Sequence, residues 1–221
     1  MSILPPALDC RLWFPDPKTA DHDGLVAFGG DLSVGRLLLA YRSGIFPWTV
    51  QPITWWSPDP RAIFEFDQFH VPRSLMSVIR HGAFRVTRDQ AFREVMLGCA
   101  MAPGRGSTWI SHGFIDAYVR LHEHGHAHSV ECWLSGELAG GIYGVAVGRL
   151  FAGESMFHRV SNASKVALYH LVHYLRERGF TLFDIQMLTP VTRQLGAVAI
   201  PREEYLRRLA QAIQRRCVFT G

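Results

Sequence analysis

The sequence predicts an α+β fold, in which a mixed sheet and its helices follow a small N-terminal unit. Beyond residue 60, the patterns follow one another in the order helix–helix–strand–strand–strand–helix–strand–helix, which is typical of α+β domains. The first sixty residues differ in composition, because eight of the 12 prolines and four of the six tryptophans lie there. The turn-rich stretch 55–60 therefore predicts a boundary between a small domain, 1–62, and a larger domain, 63–221.

Helices are predicted where apolar residues recur at spacings of three and four behind a capping residue. One such apolar face, formed by Phe92, Val95, Met96 and Cys99, follows Asp89. The predicted helices begin after Ser33, after Asp89, after Ser111, at Ser161 or Asn162, and after Pro201. The third of these ends at Gly125 and the fourth at Gly179.

Apolar runs predict four strands, at 129–134, 137–147, 150–157 and 181–186. Ser135-Gly136, between the first two strands, predicts a hairpin turn. Glycines at 140, 141 and 144 lack the strand-to-helix context of a nucleotide-binding loop. They are explained by close backbone approach within a strand.

The composition excludes several classes of protein. The 221 residues are 48% apolar and 19% charged, which is not the composition of a disordered chain. No run of 18 residues is free of charged or turn residues, so we expect no membrane-spanning helix. The N-terminus has no signal-peptide pattern, and four scattered cysteines argue against a disulfide framework or a zinc ribbon. We therefore expect a cytoplasmic protein without a membrane partner.

The basic residues are almost all arginine, since only Lys18 and Lys165 among the 23 are lysines. Arginine forms bidentate contacts with phosphate, which favours a nucleic-acid partner. The formal net charge of only +4 is explained equally well by an ordinary solvated surface. Charge alone leaves both interpretations open.

The stretch 122–126 matches the H-E-x-x-H motif of zinc peptidases. That chemistry needs both histidines one turn apart on a continuous helix, with the glutamate as base. Gly125 ends the predicted helix, and no third ligand follows at a recognisable spacing. We therefore expect no bound metal here, and a polar helix end instead.

Three acidic residues lie on predicted strands that are otherwise apolar: Glu131, Glu154 and Asp184. Strand alternation places Asp184 on the same face as Gln186. Burial of an unpaired carboxylate is costly, so each acid needs a partner. They form either a pocket for a cation or contacts with a neighbouring loop. The cost of burying three carboxylates favours a cation pocket, but the sequence leaves both alternatives open.

The chain resembles the bacterial leucyl/phenylalanyl-tRNA–protein transferases over nearly its whole length. The match includes GLVAFGGDLS, LLLAYRSGIFPW, WWSPDPR, AHSVE, GELAGGIYGVAVG and GESMF. It continues with TWI, ASK, DIQ and LGA at 108–110, 163–165, 184–186 and 195–197. Ten stretches in the same order make the resemblance highly specific.

The resemblance implies a GCN5-related acetyltransferase-like domain with a small N-terminal domain. It also implies transfer of leucine or phenylalanine from aminoacyl-tRNA to proteins with N-terminal arginine or lysine, marking them for degradation. No cofactor is implied, and we expect a monomer. The family's catalytic positions that match here are Asp184, Gln186 and Glu154. The matching substrate-binding positions are Trp48, Trp109, Phe151 and Met156.

Roles for these residues follow from the chemistry of ester aminolysis. An α-amine has a pKa of about 7.7–8.0, so orientation matters more than a strong base. Our hypothesis is that Gln186 accepts from the amine, Asp184 orients Gln186, and Glu154 holds the cationic acceptor. The alternative is positioning alone, with the proton passing through the tRNA ribose. Two other functions stay open: a CoA-dependent N-acetyltransferase and a non-catalytic RNA- or degron-binding module.

Overall fold

The computed structural model describes residues 5–101 and 110–220. The strands of this part are β1 (Ala7–Leu8), β2 (Leu25–Gly29), β3 (Phe46–Val50), β4 (Ile53–Trp56), β5 (Arg61–Phe64), β6 (Arg85–Arg88), β7 (Ala127–Leu134), β8 (Glu137–Val147), β9 (Leu150–His158), β10 (Leu182–Gln186) and β11 (Ala197–Ile200). The helices are α1 (Val34–Arg42), α2 (Arg73–His81), α3 (Phe92–Ala100), α4 (His112–Glu123), α5 (Ala163–Arg178), α6 (Pro190–Gln194) and α7 (Arg202–Ala212).

The strands form two sheets, which confirms the predicted mixed α+β class. The N-terminal sheet has the order β1-β2-β4-β3, and the larger sheet has the order β11-β5-β10-β9-β8-β7-β6. Within the larger sheet only β9 and β10 pair in parallel. The predicted domain boundary after residue 62 falls inside β5, a strand of the larger sheet, and the division into domains stays a prediction.

Glycines of β8 bring helices close to both faces of the larger sheet. A Cβ on Gly140 would lie 2.8 Å from Ala163 of α5, and one on Gly141 would lie 2.9 Å from Val95 of α3. Neighbouring residues of a strand face opposite sides, so α3 and α5 cover opposite faces. This confirms the predicted role of these glycines.

The hydrophobic core is shared by the two sheets. One buried cluster includes Leu37 and Tyr41 of α1 together with Phe114 and Tyr118 of α4. Burial of this surface holds the N-terminal unit against the larger sheet. As a result, α1 contributes side chains to the interior of the larger unit.

Local signals located several elements correctly. Ser33 and Ser111 cap α1 and α4 through bonds to the backbone N–H three residues ahead. Ser135 and Gly136 both have positive φ in the hairpin turn. The predicted cap at Asp89 is wrong, since α3 begins after Ala91 and the Asp89 carboxylate binds His128 and the Ser129 N–H instead.

The first sixty residues contain more regular structure than predicted, since four short strands lie there besides the predicted helix α1. The sequence also gave no sign of α2, β5, β6, α6 or β11. In residues 5–101 and 110–220, no helix has the length and apolar character needed to cross a membrane.

Candidate active site

Two cavities meet at Glu154, in the middle of β9. The larger, about 490 Å³, has an apolar part lined by Ile142, Met156 and Leu168. The smaller, about 190 Å³, is lined by Phe46, Trp48 and Gln186 among others. Glu154 lines both cavities, so two different ligand groups can approach it from two sides.

The parallel pairing of β9 and β10 places Gln186 beside Glu154. Asp184 pairs with Ala152, and each functional residue lies two positions further along its strand. The Gln186 Nε2 donates to Glu154 Oε1 at 3.0 Å. Gln186 has a φ of 56° where the strand register shifts, which directs its side chain away from the regular pleat. The amide oxygen of Gln186 is then left to accept a hydrogen bond from a ligand.

Asp184 is completely buried and makes four hydrogen bonds. Arg61 donates to both of its oxygens, at 2.9 and 2.7 Å. The Tyr205 hydroxyl donates to Oδ2 at 3.0 Å, and the Gln186 backbone N–H donates to Oδ1 at 2.9 Å. The cation beside Asp184 is therefore the chain's own Arg61. The last bond holds the backbone of Gln186 in its unusual conformation.

Arg61 joins the N-terminal unit to the far end of the chain. Its side chain is 1% exposed, and it donates to the Gly44 carbonyl at 3.1 Å. The guanidinium lies 4.8 Å from the centre of the Phe46 ring and 4.5 Å from that of Tyr205. Burial alone would lower the pKa of Arg61, but the Asp184 carboxylate raises it overall.

Glu154 has a different environment, with no cation in direct contact among the described residues. Burial raises the pKa of its carboxyl to about 8, and hydrogen bonds with Tyr41 and Tyr118 only partly oppose that shift. The Tyr41 and Tyr118 hydroxyls also bond to each other at 2.5 Å. At neutral pH most molecules therefore carry a protonated, uncharged Glu154.

Glu131 does not join this site, so the expected pocket of three acids is wrong. Glu131 lies on β7, and β8 separates it from Glu154 on β9. Its two oxygens accept from Thr87 and Ser129, each at 2.5 Å. Glu131 is therefore a structural acceptor for hydroxyl groups of β6 and β7, and it takes no part in a cation pocket.

The predicted substrate-binding residues separate in the structure. Met156 lines the larger cavity and Trp48 lines the smaller one. Phe151 is 1% exposed and packs against Phe183 and Phe219 in the core, and its place in the pocket lining stays a prediction. Trp109 lies outside the described residues.

The H-E-x-x-H stretch does not form a peptidase site. Helix α4 ends at Glu123, as the interrupting Gly125 predicts. Instead, His122 and His128 lie near Asp89, the one group of the described residues with ligand spacing for a metal. Each Nδ1 already has a protein partner: Ala127 O for His122, at 2.7 Å, and Asp89 for His128, at 2.8 Å. These bonds explain the cluster without a metal.

Sequence reasoning missed Arg61, Tyr41, Tyr118 and Tyr205. Tyr118 lay on the predicted apolar face of its helix, and a buried tyrosine hydroxyl needs a polar partner, which is a usable signal. Arg61 directly precedes an apolar strand, where a charge needs a buried counter-ion. Neither signal names the partner, because Asp184 is 123 positions away from Arg61.

Two family models match this chain. The model described as "Leucyl/phenylalanyl-tRNA protein transferase" matches residues 63–210, and that of its N-terminal domain matches 30–59. One relative that carries the name leucyl/phenylalanyl-tRNA–protein transferase is a protein of Magnetococcus marinus. It is 53% identical over 90% of this chain and 88% of its own length. A protein of Stutzerimonas stutzeri is 52% identical over 92% of both chains.

Two solved structures are similar to this chain at much lower sequence identity. L-PGS from Bacillus licheniformis is 13% identical, with a TM-score of 0.45 over 86% of this chain and 73% of that one. A GCN5-related N-acetyltransferase from Kribbella flavida is 11% identical, with a TM-score of 0.40 over 72% of this chain and 58% of that one.

Proposed function

The chain belongs to the leucyl/phenylalanyl-tRNA protein transferase family and is an aminoacyltransferase; on that premise we propose how its site carries out the transfer. The donor is leucyl- or phenylalanyl-tRNA, and the acceptor is the α-amino group of a protein that begins with arginine or lysine. The new peptide bond marks the acceptor for degradation. The observation that carries this proposal is the Glu154–Gln186 pair at the junction of two cavities.

The apolar part of the larger cavity accommodates the donor side chain. Ile142, Met156 and Leu168 offer shape and hydrophobic contact without directional polar groups. Such a pocket discriminates by only about 1–3 kcal/mol per methylene, and the flexible thioether of Met156 adapts to rings and branched chains. Acceptance of both leucine and phenylalanine follows from this.

The smaller cavity accommodates the terminal adenine of the tRNA. Trp48 offers a partly exposed indole on which an unpaired base can stack, and Phe46 and Pro47 complete the apolar lining. With the adenine there and the amino-acid side chain in the larger cavity, the ester lies at their junction. That junction is where Glu154 and Gln186 meet.

The reaction needs little acid–base power. The lone pair of the neutral α-amine attacks the ester carbonyl, a C–N bond forms, and the C–O bond to the ribose breaks. The proton leaves the amine and ends on the ribose oxygen. The Gln186 amide oxygen accepts from the attacking amine and orients it, because its Nε2 is held by Glu154 and its backbone by Asp184.

Glu154 provides the counter-charge for the arginine or lysine side chain of the acceptor. An uncharged Glu154 loses its proton when a cation lies beside it, since an adjacent positive charge lowers a carboxyl pKa. The Tyr41 and Tyr118 hydroxyls stabilise the carboxylate thus formed. Recognition of the cation and ionisation of Glu154 are therefore coupled.

We also propose that the protein acts as a cytoplasmic monomer with domains 1–62 and 63–221. Cys10, Cys132 and Cys217 form no disulfide in the part of the chain that the structure describes, which suits a reducing compartment. Light scattering at a mass near 24.9 kDa tests the monomer.

The transfer assay uses phenylalanyl-, leucyl- and valyl-tRNA with peptides that begin with arginine or alanine. We expect an adduct only for the first two donors with the arginine peptide, and Trp48→Ala should raise the KM for the donor. Acetyl-CoA should give no product. Transfer of an acetyl group without RNA, or RNA binding without any adduct, would overturn the proposed function.

A further inference from the structure

The lining of the larger cavity includes polar residues near the start of α5. His158, Ser164 and Lys165 line it together with apolar residues. The first turn of α5 contains no acidic residue, and the Asn162 side chain makes no capping bond. Helix N-termini with free N–H groups attract anions, because the helix dipole is positive there.

Ser164 provides an independent sign of a ligand. The residue is only 5% exposed and lines the cavity. Its hydroxyl has no hydrogen-bond partner among residues 5–101 and 110–220. Buried polar side chains almost always have a partner, and a ligand bound in the cavity that Ser164 lines would supply its acceptor or donor.

Backbone donors lie at the same place. The Ala163 N–H bonds to Val160 O and the Val166 N–H to Asn162 O, while the structure gives the intervening Ser164 and Lys165 N–H groups no acceptor within its described part. The partly buried Lys165 ammonium also has no carboxylate partner there. Glu154 is the one carboxylate among the lining residues.

We propose that the start of α5 binds a phosphate oxyanion, the phosphodiester on the 5′ side of the terminal adenosine of the charged tRNA. This rests on the proposed function. Five bonds of about 1.5 Å join the ester oxygen to that phosphorus, a reach of roughly 6 Å. The last phosphate of a donor whose ester lies at Glu154 is therefore close enough to enter the same cavity, which Glu154 also lines. Ser164 Oγ, two N–H groups and Lys165 offer donors for it.

Binding of a stable analogue tests this without relying on turnover. The probe is a short RNA ending in CCA with phenylalanine joined to the terminal ribose by an amide, prepared with either a phosphodiester or an uncharged methylphosphonate at the last linkage. For the wild type, we expect the methylphosphonate to raise Kd about tenfold. Lys165→Gln should raise the Kd of the phosphodiester probe similarly and lose the difference between the probes. Ser164→Ala should reduce that difference in part.

Arg176→Gln is the matched control. It removes the same charge from the exposed far end of α5, where Arg176 lies 3.5 Å from Asp67. This variant should keep both the affinity and the full difference between the probes. Thermal melting of all variants shows whether Lys165→Gln is folded.

Equal wild-type affinity for the two probes would overturn the proposal, and so would a Lys165→Gln variant that still distinguishes them. Coenzyme A is a further competitor. If it displaces the probe in a Lys165-dependent way while the methylphosphonate has no effect, the oxyanion belongs to a nucleotide diphosphate and the RNA assignment is wrong. Absence of an adduct in the transfer assay is a separate failure, since these readouts measure binding alone.

Discussion

Asp184 and Glu154 lie on neighbouring strands of one sheet, yet their carboxyl groups have opposite environments. Asp184 is completely buried and has a bidentate partner in Arg61, so its charge is balanced within the chain. Glu154 lies at the cavity junction beside two neutral tyrosine hydroxyls, and burial raises its pKa to about 8. The first carboxyl is paired with a cation of the chain itself, and the second is a group whose charge depends on its ligand.

The difference shows how one sheet can contain both a carboxyl group that fixes the backbone and a carboxyl group whose charge changes with its ligand. The Arg61–Asp184 pair fixes the backbone of Gln186 and joins β5, β10 and α7, so it sets geometry. Glu154 borders both cavities, so it is the carboxyl group that bound ligands contact. Sequence alone presents both as acids on apolar strands.

The largest expected effect is on folding. Arg61→Met leaves the Asp184 carboxylate buried without its cation, which should cost about 3–5 kcal/mol. The corresponding fall in Tm is roughly 10 °C for a chain of this size. Arg61→Met combined with Asp184→Leu should recover most of the loss. Arg207→Met, which breaks an exposed pair with Glu204, serves as control and should leave Tm unchanged. Similar Tm values for Arg61→Met and the control would show that the pair is not structural.

A second test asks whether Asp184 acts through Gln186. Asp184→Asn replaces one acceptor with a donor, so the bond to the Gln186 N–H or the contact with Arg61 is lost. A displaced Gln186 should lower kcat by about 100-fold, while KM for the acceptor peptide changes little. Steady-state kinetics with varied peptide measure this. A rise in KM at constant kcat would assign Asp184 to acceptor binding instead.

A third test concerns the ionisation of Glu154. Its proton is lost as pH rises through about 8, so the carboxylate that pairs with a cation becomes more populated from pH 7 to pH 9. The KM for an arginine-initiated peptide, divided by that for the neutral citrulline analogue, should fall over this range. The ratio cancels titration of the α-amine. In Glu154→Gln the ratio should not change with pH, and arginine should lose its advantage by about 10-fold or more.

If Glu154→Gln keeps the arginine preference but loses binding of charged tRNA, Glu154 belongs to the donor side. Glu154 and Asp184 would then both position the donor, and neither would recognise the acceptor side chain.

The smallest expected effect is on stability against pH. The folded-state pKa of Glu154 is raised above its ordinary value of 4.5, so its contribution to stability is complete below that pH and is lost as pH rises towards 8. Glu154→Gln keeps the neutral form at every pH. Its Tm should match the wild type near pH 4.5 and exceed it by about 3 °C or more at pH 9. Glu137→Gln, at the exposed start of β8, should show no such trend. A Tm difference that is constant with pH would contradict the raised pKa.

The sequence determined the elements whose signals are local. A serine before an apolar helical face located α1 and α4, and Ser135-Gly136 located the β7–β8 turn. Glycines in β8 indicated close packing before any neighbour was known. Ten matching stretches in the same order identified the family. These signals succeed because backbone conformation and short-range hydrogen bonds involve residues only a few positions apart.

Only the tertiary structure decided which acid received which partner. Arg61 reaches Asp184 across 123 positions and Tyr41 reaches Tyr118 across 77, through pairing of β5 with β10 and packing of α1 on α4. The same folding placed Glu131 with hydroxyl groups and Phe151 in the core. One carboxyl group thus has an ion-pair partner, another holds a proton at neutral pH, and a third is a structural acceptor. The physical reason is that charge and pKa depend on burial and on neighbours, which the order of strands in the sheet decides.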